Sequence, residues 1–207
     1  MRLSAKPGTH LWIGIGMVWL LIVAVGLWVT LRYETTPGEA GDPPSHWPAE
    51  SRLPHKSGVP TIVVMGHPKC PCTRATIGEL AVMMTRLHDS VSADVVFVRP
   101  QGVPDDWDDT DLRRSAAAIP GVAVVTDLNE VEADLFRAQV SGQTMLYNAA
   151  GKLEFSGGIT ASRGHSGDNI GRSSIVSFVT TGSADHTRTP VFGCALRTPK
   201  NLNGEKL

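Results

Sequence analysis

An excess of charge of either sign is missing from this sequence: 19 lysines and arginines face 20 aspartates and glutamates, a formal net charge of −1. There is no basic run and no interleaving of basic and aromatic residues, so the electrostatic footprint of a nucleic-acid binder is absent and that partner class is set aside. No internal repeat runs along the chain. The glycines of GHSGDNIG, residues 164–171, lack the surrounding strand, tight turn and helix that would make them a phosphate cradle. No flavin, nicotinamide or haem motif is present, and no Ser-His-Asp constellation can be read from the sequence. Any reducing power must therefore come from another protein. Cysteine is scarce, with Cys70, Cys72 and Cys194 the only three. An odd count in an exported chain implies a free reactive thiol or a partner that spacing alone does not name.

Charge is also absent from Leu11 to Leu31, LWIGIGMVWLLIVAVGLWVTL. As a helix rising about 1.5 Å per residue this run covers roughly 31 Å, the thickness of a bilayer core. No small-residue cleavage site follows it, so it reads as an uncleaved anchor rather than a signal peptide. Arg2 and Lys6 precede the span, and Arg32 after it is soon offset by Glu34, Glu39 and Asp42, which puts residues 1–10 in the cytoplasm and everything after the span on the exoplasmic side. Disulfides persist there unless they are deliberately reduced.

Residues 32–59 are proline-rich and show no hydrophobic period, which predicts an extended linker with a reach of up to roughly 80 Å. Trp47 and His46 are the linker residues with the means to meet lipid or metal. Residues 60–181 have the size of one domain. TIVVMG at 61–66 reads as a buried strand, and Ile77, Leu80, Ala81, Met84 and Leu87 repeat at helical spacing. VVFVR at 95–99 is a second strand, TDLRRSAAA at 110–118 a helix capped by Thr110 or Asp108, and VAVV at 122–125 a third buried strand. VEADLFRA at 131–138 is a short helix, residues 144–158 a hairpin turning at Asn148 to Gly151, and 172–181 a last helix. The order β-α-β-α-β-α-β-β-α predicts an α/β fold, a central sheet with helices on both faces. Residues 182–207 form a tail carrying Cys194. The Gly- and Ser-rich loop 156–172 offers Arg163, His165 and Asp168 to a binding surface, with Asp168 or Asn169 the expected cap of the last helix.

The chemistry concentrates in HPKCPCTR, where the first strand gives way to a helix. In regular helix geometry residues i and i+2 have Cα atoms about 5.4 Å apart, within disulfide range, but their side chains point some 160° apart. A Cys70–Cys72 bond therefore needs Cys70 to lie before the helix, with Pro71 at its first turn, where proline is welcome. Such a bond is strained and correspondingly easy to reduce. A cysteine at the positive end of a helix has its thiol pKa drawn from about 8.5 down to roughly 3.5–7.5. Lys69 and Arg74 add positive charge, and His67 is either a proton partner or a turn residue before Pro68. Inert buried thiols are the plain alternative; the paired spacing, the strand-to-helix position and the oxidising compartment all count against it.

The same residues resemble the thioredoxin-like superfamily. CPCTRATIGEL is similar to the active-site region of membrane-anchored, periplasmic proteins of the TlpA and ResA type. HPKCPCTRATIGEL, SGQTMLYNAAGKLEFSGGI, SRGHSGDNIGR and TPVFGC together most closely resemble bacterial RedB-like proteins. The resemblance implies a thioredoxin-like three-layer sandwich behind one transmembrane helix. It places Cys70 at the nucleophilic position and Thr73 where a resolving cysteine normally stands, so the usual dithiol is missing. Gln143 falls where these proteins carry a cis-proline. A cis bond before a non-proline residue costs about 2.5 to 4 kcal/mol, so a trans bond and a differently shaped groove are expected.

Two functions remain open. One is a thiol-disulfide oxidoreductase of the bacterial inner membrane, its domain in the periplasm or cell exterior. Cys70 is then the nucleophile, Cys72 or Cys194 resolves, and Pro71, Thr73, Lys69 and Gln143 support the site. This reading needs no cofactor, and its partners are protein thiols and disulfides, an unidentified redox donor and membrane lipid. The other is a copper(I) chaperone or sensor using Cys70, Cys72 and His67 or Cys194, since thiolates select copper(I).

Overall fold

The computed structural model describes residues 7–56, 58–87 and 89–196. They divide into two units, Met1–Thr36 and Pro37–Leu207. The first is helix α1, Pro7–Thr35, with Arg32 in its last turn. Trp12, Leu20 and Trp28 are exposed along it. Among the described residues it is the one helix long and apolar enough to cross a membrane.

The second unit is built on a five-stranded sheet in the order β3-β2-β1-β4-β5. Strands β1 (Thr61–Gly66), β2 (Ser92–Arg99) and β3 (Val122–Leu128) are parallel, joined through helices α2 (Pro71–Leu87) and α3 (Asp111–Ala117). After the short helix α4 (Val131–Leu135), β4 (Thr144–Tyr147) and β5 (Leu153–Gly157) form an antiparallel hairpin beside β1, and α5 (Ile170–Thr181) closes the order. Each expected element is present, in the expected sequence. The β1 residues are all buried, as a central strand with both faces covered requires. Strand β3 departs from the expectation of a third buried strand: it lies at the sheet edge, mostly half-buried. Thr110 caps α3 through its hydroxyl, and Asn169 caps α5 by accepting from the Arg172 amide at 2.8 Å. Asn148 Oδ1 organises the hairpin turn, accepting from the amides of Ala150 at 2.9 Å and Lys152 at 3.0 Å.

Alternation along the strands splits the core. Ile62, Val64, Val95 and Phe97 pack with Leu80 and Met84 of α2, Leu112 of α3 and Ile175 of α5. On the other face Val63, Met65, Val96, Met145 and Tyr147 pack against Phe136, Ala133 of α4, Leu53 and Leu196. That second face corrects the expectation of a free linker. Residues 37–56 lie on the domain because their apolar side chains and backbone groups find partners there. Trp47 stacks on His55 with ring centroids 4.6 Å apart and meets the rings of Phe136 and Tyr147 edge-on. Its amide donates to the Gly151 carbonyl at 2.7 Å. Ser51 Oγ and the Arg52 amide both donate to the Glu132 carboxylate, at 2.7 and 2.9 Å. A proline-rich stretch without a period of its own is here ordered by a surface made elsewhere, and the long reach predicted for it is not available.

One group on the second face is unpaired. Asp94 of β2 is 2% exposed and its Oδ2 has no hydrogen-bond partner. Burial pushes its pKa up to about 7, with the Lys56 charge opposing. The folded state thus holds a proton that the unfolded chain releases near pH 4, so stability falls as pH rises from about 4 to about 7. Asp94→Asn should remove this loss and stabilise the protein at pH 8 by on the order of 3 kcal/mol, with no gain at pH 4. Thermal melts of both proteins across that range provide the check, and parallel curves would contradict the assignment.

Candidate functional site

The site is assembled at the end of β1. The chain leaves the sheet at Gly66, turns through His67-Pro68-Lys69, and enters α2 at Pro71. Pro71 is thus the first helical residue, where its missing N–H costs nothing. Cys70 stands directly before the helix, and its sulfur accepts from the backbone amides of Thr73 and Cys72. These are the second and third helical residues, so Cys70 is the helix's N-cap, with a sulfur in place of the usual side-chain oxygen.

Two further donors arrive from distant segments. The Ser141 hydroxyl and the Cys194 amide both bond to the Cys70 sulfur. Burial disfavours its thiolate, but the four donors outweigh burial and hold the pKa below the usual thiol value. The Cys72 thiol moves the other way. Burial, then the charge on Cys70 and that of Cys194, push it up to about 11, with the Arg163 cation opposing, and its S–H donates to Cys70. Of the pair, Cys70 is therefore the sulfur that ionises first, and Cys72 is held as the thiol. Cys70 and Cys72 are 5% and 4% exposed, whereas Cys194 is exposed. The three sulfurs lie within 4.8 Å of one another, and all three cysteines are free thiols.

Ser141 is the functional residue that sequence reading missed. It sits before β4, the segment singled out only for its lack of a cis-proline. Its Oγ accepts from the His67 amide at 2.9 Å and lies 2.5 Å from the Thr73 hydroxyl. With its proton given to Cys70, Ser141 takes Thr73 as a donor, which uses one donor and two acceptor positions of a hydroxyl. Thr73, at the position expected of a resolving cysteine, therefore orients the serine that supports the thiolate. Ser141→Ala should lower the thiolate fraction of Cys70. One charge-assisted bond contributes on the order of 1.5 kcal/mol, about a tenfold fall in alkylation rate at neutral pH. A pH titration of thiolate ultraviolet absorbance follows the same change; an unaltered profile would remove Ser141 from this role.

The described residues contain no cis peptide bond, so the bond before Gln143 is trans, as expected. Gln143 is fully buried and pairs by both ends of its amide with Gly41, Nε2 donating to the carbonyl at 3.0 Å and Oε1 accepting from the amide at 3.1 Å. It anchors residues 37–45 and does not line the groove with a ring.

The other expected site residues separate. His67 Nδ1 accepts from the Lys69 amide at 3.2 Å, and its ring meets Trp107 edge-on. Burial and the Lys69 charge hold its pKa below the usual histidine value. It is a neutral turn residue, and it lies outside the group of three sulfurs. The Lys69 ammonium sits 4.9 Å from the centroid of the Trp107 ring, and Arg74 pairs with Asp111 at 2.7 Å. Neither cation is a direct partner of the thiolate. Arg163 does reach the site, donating to the Gly193 carbonyl at 2.5 Å. His165 bonds back to the Arg163 carbonyl, and Asp168 pairs with Arg172, so neither lines the sulfur cluster. His46 is exposed, bonding only to Ser45 through its ring.

A strand order of β3-β2-β1-β4-β5, three strands parallel and an antiparallel hairpin beside β1, with helices on the sheet, is a thioredoxin-like fold. Solved structures agree on the fold. An uncharacterised conserved protein from Geobacillus kaustophilus is 16% identical with a TM-score of 0.58, over 79% of this chain and 92% of that one. A hypothetical protein from Sinorhizobium meliloti is 18% identical with a TM-score of 0.57, over 78% and 93%. A weaker likeness, 14% identity and a TM-score of 0.42 over 59% and 81%, is to a secreted Mycobacterium tuberculosis disulfide oxidoreductase. No protein-family model matches the sequence, and no curated protein matches it.

Proposed function

We propose that this protein is a membrane-anchored thiol-disulfide oxidoreductase acting on the exoplasmic side of a bacterial inner membrane, related to the TlpA, ResA and RedB-like proteins. The observation that carries this reading is the capped Cys70 sulfur, its thiolate favoured by four hydrogen-bond donors, with two further thiols within 4.8 Å. A thiolate is the nucleophile in disulfide exchange, and a second thiol within reach lets a mixed disulfide resolve. Cys70 attacks or is displaced, and Cys72 or Cys194 is the other sulfur. Helix α1 supplies the anchor, and the domain's partners are protein thiols and disulfides, including a donor that recharges the site. The test is a redox titration of the full chain in detergent, in glutathione buffers, with alkylation and peptide mapping of all three cysteines. One intramolecular disulfide with a midpoint between about −120 and −270 mV is the expected result. Thiols that stay reduced, or link only between molecules, would sink the proposal.

The trio of sulfurs also favours a second reading, a copper(I) chaperone or sensor. Three convergent thiolates suit a soft monovalent cation, and of the two third ligands considered, Cys194 is the one that lies with Cys70 and Cys72. Competition with a chromophoric copper(I) chelator separates the two. Retention of copper by the wild type and its loss on replacing any one cysteine would support the metal reading; no retention would remove it.

A further inference from the structure

The three thiols occupy unequal positions. Cys194 is exposed, whereas Cys70 and Cys72 are buried. The tail that carries Cys194 is seated on both sides of the residue. The Ser141 amide donates to the Cys194 carbonyl at 2.9 Å, and the Leu196 amide to the Gln139 carbonyl at 2.7 Å, with Val140 and Ala195 bridged as antiparallel partners. Val191 and Leu196 are buried at 1% and 2% exposure, and Arg163 holds the carbonyl of Gly193. Cys194 is therefore a fixed part of the site, its amide on the Cys70 sulfur. The edge at residues 139–141, next to Cys70, is already occupied by the tail, so an incoming polypeptide cannot pair there. Cys72 lies inside the first turn of α2, with its amide and its S–H both committed to Cys70.

Building on the oxidoreductase reading, we infer that the working disulfide joins Cys70 to Cys194, that Cys194 is the sulfur partners meet, and that Cys72 stays a thiol throughout. In reduction, a partner thiolate attacks the exposed sulfur of Cys194. The Cys70–Cys194 bond breaks, its electron pair leaves with Cys70, and the thiolate settles among its four donors. A second partner thiolate attacks the partner's sulfur in the mixed disulfide and releases Cys194, which takes up a proton. Two partner thiols become one disulfide as Cys70 and Cys194 gain two electrons. Oxidation by a partner disulfide is the reverse: Cys194 attacks first, then Cys70 attacks the Cys194 sulfur and expels the partner. The assignment follows exchange chemistry, in which the accessible sulfur is attacked and the better-stabilised thiolate leaves.

The experiment is peptide mapping of acid-quenched, alkylated full chain in detergent, equilibrated in glutathione buffers, for the wild type, Cys72→Ser and Cys194→Ser. The wild type should give a linked Cys70–Cys194 peptide. Cys72→Ser should give the same link at a glutathione ratio within about threefold, and in Cys194→Ser any Cys70–Cys72 link should need buffer at least about tenfold more oxidising. A Cys70–Cys72 link in the wild type, kept in Cys194→Ser at the same ratio, would overturn the inference and leave the oxidoreductase reading standing. Loss of the Cys70–Cys194 link in Cys72→Ser would overturn the bystander role of Cys72. Absence of any intramolecular link in all three proteins would remove both. A measurement free of substitutions stands beside these: brief exposure of the oxidised wild type to reduced glutathione should leave the adduct on Cys194, and an adduct on Cys70 would reverse the assignment.

Discussion

Gly193→Ala should unseat the C-terminal tail and strip the site of its third thiol. A Cβ at this position falls 1.9 Å from the Ser141 carbonyl oxygen and 2.9 Å from Val140 Cγ1, and the first of these is backbone, which cannot swing aside. Ser141 is fully buried, so the tail must move instead. Its displacement breaks the Ser141–Cys194 and Gln139–Leu196 backbone bonds and exposes Leu196. Exposing a buried leucine costs about 1.5–3 kcal/mol and each of the two lost hydrogen bonds about 1 kcal/mol, so a destabilisation of roughly 4 kcal/mol is expected. Cys70 also loses the Cys194 amide, which reduces its thiolate fraction, and a Cys70–Cys194 bond loses its effective concentration. Denaturant melts, alkylation rates of Cys70 and disulfide mapping read these effects separately. An unchanged melt together with an unchanged disulfide would show that the tail is not held at residues 139–141 in solution.

Glu79→Ala is the second large effect. Glu79 is 2% exposed, inside α2, and its carboxylate accepts from the Gly167 amide at 2.7 Å, Asn169 Nδ2 at 3.2 Å and Arg172 at 2.5 Å. Its carboxylate ties the 158–169 loop and the start of α5 to the helix bearing the cysteines. Removing it leaves Arg172, 17% exposed, without its buried partner. Breaking a buried pair by deleting one member costs about 3–5 kcal/mol. For a domain of this size that corresponds to a fall in Tm of roughly 10 °C. Glu79→Gln should cost less, since an amide oxygen still accepts from Gly167 while its NH2 opposes Arg172. The loop also carries Arg163, so slower formation of the proposed Cys194 disulfide should accompany the fall in Tm. A Glu79→Ala protein that melts within a degree or two of the wild type would show that solvent takes over the network.

The linked pH behaviour of the site has a definite sign. The folded-state pKa of Cys70 is depressed, so in the reduced protein it contributes stability that is present above the unfolded thiol value and lost as pH falls through the lower folded one. The oxidised protein has no such contribution. The stability difference between the reduced and oxidised forms should therefore shift in favour of the reduced form as pH rises, and the Ser141→Ala variant should show less of this shift.

Local pattern was enough for the elements and poor for their surroundings. Strands β1 and β2 announced themselves as unbroken apolar runs, α2 as a 3.6-residue period, and the hairpin as turn residues at Asn148 to Gly151, because each of these signals is written in consecutive residues. The β3 run looked the same as β1, yet it lies at the edge. Four apolar residues state that a strand forms, not how many neighbours it acquires. Residues 37–56 failed for the opposite reason. Their prolines deny them any periodicity, and their order comes from Tyr147, Phe136, Glu132 and Gln143, contributed by other parts of the chain.

The sequence by itself determined the α/β order, the apolar helix at the amino-terminal end, and the position of Cys70 and Pro71 at the start of a helix, since helix caps and proline at N1 are properties of adjacent residues. It did not determine what the thiolate leans on. The Ser141 hydroxyl and the Cys194 amide come from distant stretches that carry no periodic mark, and the tail is seated by a close approach that only Gly193 permits. Which of three thiols ionises most readily, which is covered and which faces outward was decided by the tertiary structure. Hydrogen bonding and desolvation act over a few ångströms in space, and chain distance says nothing about either.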